Sequence, residues 1–301
     1  MAQAYRQNPE TGKWEPYDPK AAAKAKAEKA ASSVDPTIRR KELEEYAATV
    51  DQLADTASAS LETVLMADLQ SFYPNMGERE WKELRELLIE DLYQTRLYWS
   101  DAAGLAACDF YDKIVSAHDA TGFYGAASLP DQVSRKICAD VVRALAKHLF
   151  DGNYQKFVDK VKENAHNGVR KYANDTILMN VRRDGTKGVR YARVPVGIET
   201  CAFCIMLASR GFVYYSKESA SANGHVHPNC DCKIVPGFEG DVIEGYDPKV
   251  YEDIYNAGNR GRGMNDTLNN IRRDILYPVH KDHINEVKRA WYAKNKQQDT
   301  Q

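Results

Sequence analysis

The sequence predicts a mainly α protein: an N-terminal helical domain, a small Cys/His-rich α+β module, and a C-terminal helical tail. Three observations carry that reading. Apolar residues recur every three or four positions through most of residues 36–180, the period of a helix with one buried face. Four of the six cysteines and two of the seven histidines fall between Pro195 and Pro236. Beyond Pro236 the chain turns polar, and helical spacing resumes after a glycine-rich stretch. These shifts divide the chain into an arm (1–35), a helical domain (36–180), the module (181–240), and a hinge with its tail (241–301).

Composition narrows the function classes. A chain of 301 residues buries about 70–75% of its unfolded surface on folding. Hydrophobic and charged contents of 43% and 28% are those of an ordinary soluble protein. A net charge of -2 supplies no global field for nucleic acid or membrane, so any nucleic-acid contact needs a local patch. No apolar run of membrane-spanning length occurs. The N-terminus lacks the apolar centre of a secretory signal, so synthesis in a cytoplasm is expected. The cysteines are too sparse for a disulfide scaffold.

In residues 1–35 two aromatic–proline clusters, Trp14-Glu15-Pro16-Tyr17 and Asp18-Pro19, precede an alanine–lysine run without an apolar face. Such a segment is a disordered leader, or an arm that folds on a partner with Trp14 and Tyr17 as anchors. Asp35-Pro36 reads as a helix N-cap and first helical position. Leu43, Tyr46, Val50 and Leu53 mark one amphipathic segment, and Leu61, Leu65, Leu69 and Phe72 a second. A third carries Trp81, Leu84, Leu88 and Leu92. Gly104 reads as a break before a fourth with Phe110, Tyr111 and Ile114. Val133 to Leu149 and Tyr154 to Tyr172 supply the rest, with Gly152 as a stop between them. Cys108 and Cys138 lie among apolar residues and read as buried structural thiols. His118, His148 and His166 have no carboxylate at useful sequence spacing and read as surface or satisfied core positions. No nucleotide-binding, zincin or nucleophile-elbow motif is present, so a non-enzymatic protein is expected.

Near residue 180 the texture changes. Asp184-Gly185 signals a turn, and Val189, Tyr191 and Val194 suggest a strand. Arg182, Arg183, Lys187, Arg190 and Arg193 fall within twelve positions. They read as a phosphate- or carboxylate-binding patch, or as the polar face of a hairpin. Cys201-x-x-Cys204 and, beyond it, His227, Cys230 and Cys232 follow. Four of these five would satisfy a structural zinc, which takes four thiolate or imidazole donors in a tetrahedron. Successive strand side chains point to opposite faces, so one of Cys230 and Cys232 is expected to look away, leaving His227 as fourth ligand. Metal-free alternatives stay open: reduced structural thiols, or disulfide pairs in a virion outside the cell. Phe212–Tyr215 and Lys233–Pro236 read as strands, with Gly211 stopping a short helix before them.

The tail reads as a short helix from Val250 to Tyr255, a flexible hinge at residues 257–263, and a helical pattern through Leu268, Ile271, Ile275 and Leu276. Ile284, Val287 and Trp291 lie beyond. Arg260 and Arg262, with Arg272 and Arg273, form a second basic locus. This segment could reach a neighbouring subunit or fold back on the body. Deleting residues 1–35 or 264–301 is expected to spare the core.

Arg193-Val194-Pro195, Gly197, Thr200-Cys201-Ala202-Phe203-Cys204, Met206–Gly211, Val213-Tyr214, Ser216 and His227-x-x-Cys230-x-Cys232 together resemble the MuF-like minor head (head morphogenesis) proteins of tailed bacteriophages. The likeness is to the branch from phages of Gram-positive, often actinobacterial, hosts. It covers about 45 residues, and the helical region upstream fits the same organisation. The resemblance implies a minor component inside the capsid of the virion, associated with the portal protein and the major capsid protein during procapsid assembly. In some members it implies contact with phage DNA. Some such proteins add a toxin or protease domain, for which the 65 residues after Pro236 are too few. Two rival readings are a metal-dependent nuclease or hydrolase built on the Cys/His cluster, and a plain DNA-binding module.

Overall fold

The computed structural model describes residues 4–7, 14–17, 35–72, 77–118, 124–130, 133–197, 200–215 and 232–279. Three long helices dominate: α1 (Pro36–Phe72), α2 (Glu78–Ser116) and α5 (Tyr154–Asp184), with the short α3 (Arg135–Leu145) and α4 (Lys147–Phe150) between the last two. The two apolar segments expected before Phe72 are one continuous helix, as are the two on either side of Gly104. Gly104 is not a break. A Cβ there would stand 2.3 Å from Ser128 Oγ and 2.8 Å from Tyr172 Cε1, so the missing side chain lets α5 and the 124–130 segment approach α2. α5 runs past Tyr172 to Asp184 and closes in a 3-10 turn, Gly185–Lys187, ending at Gly188 with φ 93°.

The three helices bury two clusters along their length. At the far end Leu61, Leu65, Leu84, Leu88, Val142 and Phe157 pack together. At the near end Tyr46, Val50, Phe110, Tyr111, Val169 and Ile177 form one cluster with Tyr191, Val194, Ile205, Tyr214 and Ile234 of the module. The apolar core is thus continuous across residue 180, where composition suggests a boundary.

Strand β3 (Arg190–Pro195) pairs antiparallel with β4 (Cys232–Gly237), in register from Arg190↔Gly237 to Pro195↔Cys232. Alternation puts Ala192, Val194, Lys233 and Val235 on one face, and Tyr191, Arg193, Cys232 and Ile234 on the other. Both faces are buried. Helix α6 (Ala202–Ala208) lies between the strands in sequence, and Gly211 stops the following turn at φ 65°. The strand expected at 212–215 is reduced to one bridge, Tyr191↔Tyr214. Tyr214 and Tyr246 hydroxyls donate to the Leu207 and Ala208 carbonyls (3.1 and 2.7 Å), satisfying the C-terminus of α6.

In the tail, α7 (Pro248–Gly258) is capped by Asp247, which accepts from Lys249 N. α8 (Met264–Asn270) continues into a π-helical turn, Ile271–Leu276. Leu268 and Ile271 enter the main core, and Asn270 Nδ2 donates to the Gly258 carbonyl at 3.0 Å. This part of the tail folds back on the body. A truncation at 264 would therefore remove core residues, contrary to the expectation from sequence. In the arm, β1 (Ala4–Gln7) pairs antiparallel with β2 (Trp14–Tyr17), a local hairpin within the segment read as a disordered leader or a partner-binding arm. The alanine–lysine run, and Ile284, Val287 and Trp291, lie outside the described residues.

Candidate functional site

The thiols converge where β4 meets α6. Cys201 is the N-cap of α6, its sulfur accepting from Cys204 N at 3.3 Å. Cys204 Sγ lies 2.7 Å from Cys232 Sγ, both residues are buried, and Cys201 packs against them. Cys232 faces this cluster because it shares a strand face with Arg193. The Arg193 guanidinium, on a residue 2% exposed, reaches to 2.8 Å from Cys232 Sγ and 3.9 Å from Cys204 Sγ. Of the five cysteine and histidine positions proposed from sequence, Cys201, Cys204 and Cys232 are brought together. His227 and Cys230 lie outside the described residues. Cys232 looks into the cluster and not away from it.

Among the described residues no group of three or more His, Cys, Asp or Glu side chains is disposed to hold a metal ion. A zinc here needs donors from residues 216–231. It also needs the close pair to part, since two thiolates tetrahedrally bound at about 2.3 Å from zinc stand roughly 3.8 Å apart. Buried sulfurs with a fixed cap, next to a segment carrying a further Cys and His, fit that requirement chemically.

The basic cluster from 182 to 193 is not one exposed face. Arg193 is turned inward. Arg183 donates to the Tyr124 and Gly125 carbonyls (2.6 and 2.9 Å) and pairs with Asp184 at 2.5 Å. Lys187 also reaches Asp184, at 3.1 Å, and lies over the Tyr124 ring. Burial works to raise the Asp184 carboxyl, but hydrogen bonds from Arg183, Lys187 and Tyr111 outweigh it and hold it below the usual range. Arg190 donates to the Gly185 and Val189 carbonyls. Arg260 pairs with Asp274 at 2.7 Å, and Arg182 and Arg262 are exposed. Most of these cations therefore organise loops of their own chain.

Two further charge groups join residues far apart in sequence, the first buried and the second partly so. Asp241, in the loop after β4, meets Arg39 Nη1 of α1 at 3.0 Å and His118 Nε2 at the end of α2 at 2.9 Å. Its Oδ2 also accepts from Phe238 N at 2.9 Å. His118 is thus a carboxylate-paired core residue, its partner 123 positions away in sequence. On the bundle-facing side of β4, Lys233 Nζ lies 2.7 Å from Asp51 Oδ1, which Arg170 Nε approaches to 3.0 Å. Burial pushes the Lys233 ammonium down, with Arg170 adding to the effect and Asp51 opposing it. The signal available beforehand was a lysine inside an otherwise apolar strand. Asp241 carried none.

Residues 37–258 match the VG15 protein family. A curated relative, the Gene 15 protein of Mycobacterium phage L5, is 27% identical over 289 residues, covering 77% of this chain and 94% of the relative. No solved structure matches.

Proposed function

The chain belongs to the VG15 protein family and is phage-encoded, and from that premise we propose that it is a minor capsid (head morphogenesis) component of a tailed phage. It acts without catalysis in procapsid assembly, beside the portal and the major capsid protein, and resides inside the virion. The observation that carries this reading is the meeting of Cys201, Cys204 and Cys232 at one buried point of the module, within the pattern that resembles MuF-like head proteins. The continuous core between bundle and module supports a rigid docking body. In this reading a structural zinc is held by Cys201, Cys204 and Cys232 with His227 or Cys230. It cross-braces the α6–β4 corner, worth an apparent 10–16 kcal/mol or so for sites of this kind. Arg182 and Arg262, as exposed cations, are the candidates for contact with DNA phosphates or acidic capsid loops.

Quantitative mass spectrometry of purified procapsids and mature particles tests the assignment. The chain should co-purify at constant copy number per head, and its absence from both particles would refute a capsid role. The nuclease or hydrolase alternative is separated by incubating pure protein with DNA and RNA, with and without chelator. Chelator-sensitive cleavage lost in His227→Ala would favour that alternative.

A further inference from the structure

Cys204 Sγ and Cys232 Sγ stand 2.7 Å apart, closer than two unbonded sulfurs rest and short of bonding, which takes about 2.05 Å. Both are free thiols, on residues 1% and 2% exposed. Regular elements hold each of them. Cys204 lies in the first turn of α6, and Cys232 opens β4 opposite Pro195 of β3. The Cys201 sulfur caps that same turn, accepting from Cys204 N at 3.3 Å. Cys138 belongs to the far core cluster. Among the described cysteines, Cys204 and Cys232 are therefore the two whose sulfurs face one another, across 28 positions of sequence.

We propose that Cys204 and Cys232 are a redox-sensitive pair that closes as a disulfide in the zinc-free chain, so that closure and zinc binding exclude each other. The exclusion rests on the metal-braced reading of this corner; the pairing itself needs no metal. The oxidant is a peroxide, small enough to enter a packed site. One thiol attacks hydrogen peroxide, breaking the O–O bond, and becomes a sulfenic acid as one water leaves. The facing thiol then attacks that sulfur, forming the S–S bond and expelling the second water. Two thiol hydrogens and two electrons thus pass to one peroxide, which departs as two waters. A disulfide sulfur is no longer a thiolate donor, so closure takes two of the four ligands from the metal. In a reducing cytoplasm the pair stays open, and outside it the same α6–β4 corner is held covalently.

Disulfide mapping of the full chain tests this. The protein is stripped with EDTA under reductant, desalted and exposed to one equivalent of hydrogen peroxide. Remaining thiols are alkylated in denaturant, and the tryptic digest is read by mass spectrometry without reduction. Fragmentation should join residues 194–210 to residues 218–233 through Cys204 and Cys232, two hydrogens lighter than the separate peptides. The double variant Cys201→Ser/Cys230→Ser should still form the link, and Cys204→Ser should lose it. Chain preloaded with one equivalent of zinc should close at least tenfold more slowly. Recovery of Cys204 and Cys232 alkylated, or linkage through Cys201 or Cys230 instead, overturns the pair whatever the zinc content. Closure at equal rates with and without zinc overturns the exclusion, and the zinc content of the same samples shows whether the metal reading has failed with it.

Discussion

His118 Nε2 and Asp241 Oδ2 lie 2.9 Å apart with each side chain only 1% exposed, joining the end of α2 to the loop that leaves β4. Arg39, from the first turns of α1, closes the group on the other carboxylate oxygen. Three segments far apart in sequence are thereby fixed at one point beneath the module. Asp241→Ala would leave the Arg39 guanidinium buried without its counter-ion, a loss of about 3–5 kcal/mol for such pairs. Urea denaturation should show a large drop in midpoint at unchanged slope.

Gly104 offers a second test, because intrinsic propensity and packing disagree about it. Alanine in a helix interior is favoured over glycine by about 1 kcal/mol. Its methyl group would meet Ser128 Oγ and the Tyr172 ring at distances that real Cβ atoms do not show, and overpacking costs about 1–3 kcal/mol. Gly104→Ala should therefore lower the thermal midpoint, and Gly104→Val should lower it further. A rise in midpoint on either change would mean that the α2–α5 contact yields freely.

Asp91 on α2 and Asp68 on α1 are like-charged neighbours, and Asp91 Oδ2 is buried without a hydrogen-bond partner. Burial first, then Asp68, raises its carboxyl to about 7. An unfolded carboxyl titrates near 3.9, so the native state binds the extra proton, and stability falls as pH rises from about 4 to about 7. Asp91→Asn removes the charge. It should match the wild type at pH 4 and exceed it at pH 8 by about 1–2 kcal/mol, a figure reduced for solvent screening because the site is half-buried. Parallel stability curves across that range would contradict the coupling.

The helical class and most element positions were legible because apolar periodicity is a local property of the chain. Leu43 to Leu69 and Leu84 to Ile114 kept their faces inward, and Gly152 and Gly211 stopped turns as their conformational freedom suggests. Continuity was less legible. Gly104 reads as an interruption only until Tyr172 is seen packed against it, and Leu268 and Ile271 show no destination until α7 is in place beside them. The meeting of Cys204 with Cys232 was foreshadowed by clustered cysteines. Arg193 groups with its basic neighbours in sequence, where nothing signals that alternation turns it inward toward sulfur. His118 and Asp241 are joined only by tertiary structure, and no spacing rule reaches across 123 residues.

Elemental analysis of the purified full chain, beside titration of its accessible thiols, tests most directly whether the thiol cluster is a metal-braced corner. One zinc per chain is expected, falling to near zero in Cys204→Ser together with a marked loss of thermal stability. A wild-type protein carrying less than about a tenth of a zinc per chain, with its thiols reacting freely and its stability indifferent to chelator, would contradict the account.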